Sequence, residues 1–151
     1  VLWGAGSLSQ LRATVRWRNA RTATLDLLSR VNSPEHCGVL LDLAAPLEKL
    51  PAHWPGRTLR SEIELRLTQL LPRLDPEAAR QLTPKQRAQL RIMLERLRHH
   101  PDTLVAILLA LGSAQDTGVI VDARLLVVNH PSDRVRAAAR ECLLELSTAR
   151  K

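Results

Sequence analysis

Apolar residues in this chain return every three or four positions, in blocks set apart by proline and glycine. Leu59, Ile63, Leu67, Leu70, Leu71 and Leu74 form one block, and Leu90, Met93, Leu94 and Leu97 a second. Leu104, Ile107, Leu108 and Leu111 follow, then Val119, Ile120, Ala123, Leu126 and Val127, and finally Val135, Ala139, Cys142, Leu143 and Leu146. That spacing gathers on one stripe of an α-helix, a face that has to be covered by another element. Start signals precede the blocks in a repeated form: Ser33-Pro34-Glu35, Asp75-Pro76-Glu77 and Thr83-Pro84-Lys85 each set a capping side chain before a proline. The cap oxygen accepts a free backbone N–H, and proline loses nothing at the first helical position. Thr83 with Gln86 also matches a capping box, and Ser132-Asp133 marks a further start. Breaks fall at Pro51 to Gly56, Pro101, Gly112, Gly118 and Pro131. The pattern predicts helices near 8–20, 23–31, 34–45, 59–72, 76–82, 84–99, 103–112, 118–129 and 133–147. The run LLVVNH (125–130) also reads as a short strand, but the chain offers it no partner strand. The predicted fold class is all-α.

An internal repeat narrows the architecture. HHPDTLVAILLALGSAQ (99–115) aligns with NHPSDRVRAAARECLLELSTA (129–149), and the steps His100-Pro101 and His130-Pro131 are 30 residues apart. That period is the size of a helical hairpin, which cannot bury its own apolar face and must stack on neighbours. A short α-solenoid of stacked hairpins is therefore expected.

The stretch DTGVIVDARLLVVNHPSDRVRAAARECLLEL (116–146) resembles a HEAT repeat of the short type found in phycobilin-lyase-like proteins. Asp133, the pair Val135-Arg136, the small residues Ala137 to Ala139 and the closing Leu143 and Leu146 carry the resemblance. It implies a HEAT- or armadillo-like superhelix, in which the Asp and the Arg bridge successive units and the small residues let paired helices approach closely. Weaker versions lie at 25–50, 59–98 and 101–115. The expected organisation is one HEAT-like domain over 1–151, with approximate units 8–50, 59–98, 101–129 and 118–147. The unit at 59–98 lacks the Val-Arg pair and carries 76–82 as an insertion.

Charge changes the functional picture more than the structural one. The net charge is +7 and the pI about 10.9, carried almost wholly by arginine, whose planar fork suits carboxylates and phosphates. Residues 1–31 contribute +4, 32–58 contribute −1, 59–100 contribute +4 and 101–151 balance. Cys37 and Cys142 are far apart with no CxxC spacing, which points to a reducing compartment. No run approaches a membrane span, and no signal peptide is visible. The chain begins at Val1 rather than Met, so a longer parent chain is expected. The basic stretch with Arg12, Arg16, Arg18 and Arg21 reads as an amphipathic first helix or as the cytoplasmic flank of a membrane anchor. The expected location is cytoplasmic, by itself or as the cytosolic part of an anchored protein.

No Gly-rich phosphate loop, GxSxG elbow, HExxH or paired-cysteine motif is present, and no cofactor is expected. His99 and His100 beside Asp102 lack an apparent third metal ligand and point to different sides of a helix. Cys37 follows His36 at a helix start, where the dipole lowers a thiol pKa, but a buried small cysteine suits the position better. Asp42, Glu62 and Glu64 read as solvated charges. On the 84–99 helix, Arg87, Arg91 and Arg98 fall within about 40° of one another beside the apolar stripe. There they would line a groove facing phosphates or acidic side chains, unless Glu95 engages them within the helix. Trp54, in PAHWPGR, sits in a Pro-bracketed loop and is a candidate contact for a partner or a cover for a gap between helices. Trp17 is expected to pack inward.

These readings point first to a non-catalytic interaction or scaffold module that holds another protein or another domain of its own chain. The alternative is nucleic-acid binding through an Arg-rich groove. HEAT-like DNA glycosylases set the precedent, but three Trp without Tyr or Phe support it thinly. A bilin-lyase-like activity has no local support.

Overall fold

The computed structural model describes residues 33–49 and 56–148, together with 22–23, 25–26 and 28–31. The predicted helix at 8–20, Trp17, Trp54 and the arginines from Arg12 to Arg21 lie outside the described residues. Among those described, seven α-helices and no strand occur: α1 (Cys37–Ala44), α2 (Gly56–Leu70), α3 (Pro76–Arg80), α4 (Pro84–Arg96), α5 (Pro101–Ser113), α6 (Ile120–Asn129) and α7 (Asp133–Thr148). No helix among them is long and apolar enough to cross a membrane.

The helices begin where their caps predict. Asp75 Oδ1 accepts the Ala78 N–H at 2.7 Å. Thr83 Oγ1 accepts the Gln86 N–H at 3.2 Å, while Gln86 Oε1 accepts the Thr83 N–H at 2.9 Å, completing the capping box. Ser33 caps the 3₁₀ turn Pro34–His36 that leads into α1. The valine-rich 125–130 run is helical over most of its length and forms the end of α6. With no strand to pair with, its backbone groups are satisfied within the helix.

The helices meet in pairs: α1 packs on α2, α4 on α5, and α6 on α7. Across successive pairs, α1 meets α4, α4 meets the 3₁₀ turn Thr117–Val119, the turn Leu71–Arg73 meets α5, and α5 meets α7. The short helix α3 also lies on α5. Among the described residues, helix α5 is the central element. Leu104, Ile107, Leu108 and Leu111 are fully enclosed, and Ala106 and Ala110 are buried on its other side. A helix apolar on most of its circumference needs cover all round, which α3, α4 and α7 supply. Its contact with α7 is close because the residues there are small: a Cβ on Gly112 would lie 3.3 Å from Cys142 Cα. Ala138, Ala139 and Cys142 are buried on α7.

Polar side chains cross the junctions between pairs. Gln86 donates to Gly38 O at 3.2 Å and to Asp42 at 3.1 Å. Arg96 binds Glu48 and, at 2.5 Å, Glu64. The two His-Pro turns are tied together by His130, whose Nε2 lies 3.3 Å from Arg98 O while its Nδ1 accepts the Ser132 N–H. The bridge between α5 and α7 joins Asp102 to Arg134 at 2.5 Å. This differs from the inter-unit bridge that the HEAT resemblance implies for Asp133 and Arg136. Those two pair with each other within the first turn of α7, and Arg136 turns back to donate to His130 O at 2.7 Å. An i, i+3 pair at a helix start satisfies both charges locally. Val135 is fully buried, and Leu143 is partly buried against the core.

Candidate functional site

Arg87, Arg91 and Arg98 were the sharpest candidates for a phosphate-facing groove, and α4 sends them to different places. Arg91 donates from Nη1 to both carboxylate oxygens of Asp116, at 2.6 and 2.5 Å. Arg87 donates from Nη1 to Leu82 O at 2.8 Å and holds its Nε 3.7 Å from Asp116. That Nε is buried and makes no hydrogen bond. Arg98 lies past the end of α4 with its side chain 68% exposed, 3.8 Å from Glu95. Two of the three guanidinium groups thus converge on one carboxylate that is 7% exposed, and the third stays apart.

Local backbone chemistry delivers Asp116 to that position. After α5, Gln115 N–H bonds Gly112 O and Asp116 N–H bonds Leu111 O, the two reversed bonds of a Schellman turn. Gln115 takes the left-handed conformation such a turn requires, with φ of 57°. Gly118 then leaves room for the guanidinium: a Cβ there would stand 2.9 Å from Arg91 Cζ.

Arg96 forms a second cationic centre, one that lacked any local signal. It is reached by Glu48 from the turn Ala45–Lys49 and by Glu64 from α2, and Gln89 adds a hydrogen bond to Glu48 at 2.8 Å. Burial works to raise the Glu48 pKa, but hydrogen bonds from Arg96 and Gln89, with the charges of Arg96 and Arg60, outweigh it and hold it below the ordinary value. The Arg96 pKa is raised in turn, first by its bond to Glu48. Glu64 and Asp42, read from sequence as solvated charges, both make contacts across a helix junction, whereas Glu62 is exposed.

The thiols are inert by burial. Cys37 begins α1, yet its desolvation outweighs any dipole effect and pushes the thiol up to about 11. Cys142 is also raised to about 11, first by burial and then by the charges of Glu145 and Asp116. Both cysteines are free. Among the described residues, no three His, Cys, Asp or Glu side chains come together as metal ligands. Asp102, the neighbour of His99 and His100, is engaged with Arg134.

A groove of about 770 Å³ runs between the 71–76 turn with α3 on one side and α5 and α7 on the other. Leu71, Val105 and Leu109 supply apolar wall, with Leu109 37% exposed. Four carboxylates line it, Asp75, Asp102, Glu141 and Glu145, against one guanidinium, Arg134, a formal balance of −3 in a chain of +7. A second hollow, of about 710 Å³, lies between the two His-Pro turns and is bordered by Arg98, His99, Leu125 and His130. Beside it α6 turns Val121, Leu125 and Val128 outward, the last 78% exposed. These valines and leucine recur at i, i+4 and i+7 on the face opposite buried Ala123, so a second apolar stripe on one helix was the available signal. The groove had none, because its walls come from three separate parts of the chain.

Compared with protein-family models, with curated proteins and with solved structures, the chain matches none. Its functional reading therefore rests on geometry and chemistry.

Proposed function

We propose that this chain is a non-catalytic protein-interaction module, a short HEAT- or armadillo-like solenoid whose binding surface is the groove between α3, α5 and α7. The stacking order supports the solenoid: the first helices of successive pairs meet through α1, α4 and the turn before α6, and the second helices through the end of α2, α5 and α7. Such two-layer stacks offer extended grooves to partners. The observation that carries the function is the groove itself, with an apolar wall and an acidic lining, while Arg87, Arg91 and Arg96 are engaged by carboxylates across helix junctions. Two unpaired thiols fit a reducing compartment such as the cytoplasm.

The net charge of +7 favours a second reading, nucleic-acid binding. Against it, Arg87 and Arg91 are engaged by Asp116, so a phosphate would have to displace a buried carboxylate. Selection of ligands from a random peptide library, followed by amide shift mapping, tests the interaction reading. Selected peptides should perturb residues of α3, α5 and α7 that face the groove. Peptides that perturb only other faces, or a library that gives no binder, would count against it.

A further inference from the structure

We infer that the groove receives a cationic amphipathic helix from a protein partner, an inference that rests on the groove being the binding surface. The carboxylates are unevenly satisfied. Asp75 caps α3 and Asp102 is bridged to Arg134, but Glu141 and Glu145, one turn apart on α7, make no ion pair among the described residues. Glu145 is also badly placed for this molecule on its own. Its Oε2 lies 2.7 Å from where a Gly112 Cβ would be, near the carboxyl end of α5, where the helix dipole is negative. The same carboxylate acts on Cys142, so its field reaches into the core. Glu145 therefore adds its charge to a helix C-terminus, with Glu141 one turn away and no ion pair to either among the described residues.

The apolar part of the groove matches the other half of such a ligand. Leu109 stands exposed on α5, one turn from Val105, between the 71–76 turn and the acidic face of α7. A helix laid along this surface would set its leucines on Val105 and Leu109 and its lysines or arginines against Glu141 and Glu145. This is helix-in-groove recognition with charge selecting the partner. An anionic partner, nucleic acid included, is disfavoured here by the same potential.

The test uses two labelled peptides on the full chain, an amphipathic Leu/Lys helix and its counterpart with every Lys replaced by Glu. The Lys peptide should bind with shift changes along the groove, weaken several-fold between low and physiological salt, and bind at least about tenfold more tightly than the Glu peptide. Reversing the charges with Glu141→Lys and Glu145→Lys should remove that preference, the neutral pair Glu141→Gln and Glu145→Gln should reduce it, and Glu95→Lys on α4 should leave it intact. Both glutamates are exposed, so the variants keep the fold. Equal binding of the two peptides within the groove would overturn the cationic partner and leave the interaction surface standing. Binding of the Lys peptide elsewhere, binding unaffected by reversal, or no binding would overturn this inference outright.

Discussion

Two carboxylate sites in the α5–α7 region treat charge in opposite ways. In the turn after α5, one buried carboxylate, Asp116, collects two guanidinium groups from α4. On the face of α7 toward the groove, two carboxylates stand exposed with no guanidinium to meet them, while Arg134 is held by Asp102. The first arrangement ties helix pairs together and leaves little for a ligand. The second contributes nothing evident to the fold and leaves its chemistry open. Net charge alone therefore does not describe the surfaces of this chain: some of its cations are held in ion pairs between helices, and the groove beside α3, α5 and α7 is acidic.

Removing Asp116 should break that contrast most severely. Asp116→Ala leaves Arg87 and Arg91 half-enclosed without a counter-charge. We expect a loss of about 2–3 kcal/mol in urea unfolding, below a fully dry pair because each guanidinium side chain keeps 24% or 29% exposure. The alkaline limb comes next. Both thiols have folded-state pKa values raised from 9.0 to about 11, so the unfolded chain releases its thiol protons first. Stability should hold up to about pH 9 and fall as pH rises toward about 11, and Cys37→Ala with Cys142→Ala should flatten that limb in a series of thermal melts. Glu48 gives the acid limb: its pKa is lowered in the fold, so its contribution is present above the ordinary carboxylate range and lost as pH falls through the folded value.

A smaller change should sharpen the comparison. Gln115 holds a left-handed backbone that glycine adopts without steric cost, so Gln115→Gly should raise the free energy of unfolding in urea by up to about 1 kcal/mol while keeping Asp116 in place. The smallest effect is expected on the other side: Glu141→Gln with Glu145→Gln should shift stability by no more than about 0.5 kcal/mol. A large loss there would mean that the groove carboxylates are part of the fold after all.

What the sequence made legible was local. Asp75, Thr83 and Gln86 announce their helices because a cap acts within three residues, and the Leu90, Met93, Leu94 stripe announces a buried face because helical period is a local property. The His-Pro repeat likewise marks the starts of two helices that pack on each other, α5 and α7. What stayed hidden was non-local. Arg96 meets Glu48 and Glu64 across 48 and 32 residues, and nothing beside Arg91 says that Asp116 will come to it. Angular proximity on α4 placed Arg87, Arg91 and Arg98 in one stripe, but the neighbours of each arginine decide its use, and those neighbours come from other helices. The groove was hidden for the same reason, since α3, α5 and α7 contribute one wall each.

Fluorescence anisotropy of labelled duplex and single-stranded oligonucleotides, titrated with the chain at low salt, tests most directly whether its arginines serve the fold or a ligand. The expected result is no saturable binding in the micromolar range, despite a pI of about 10.9, because Arg87, Arg91 and Arg96 are engaged by carboxylates. Saturable micromolar binding that weakens steeply with salt, and that is lost in an Arg87→Glu, Arg91→Glu and Arg98→Glu variant that remains folded, would contradict it.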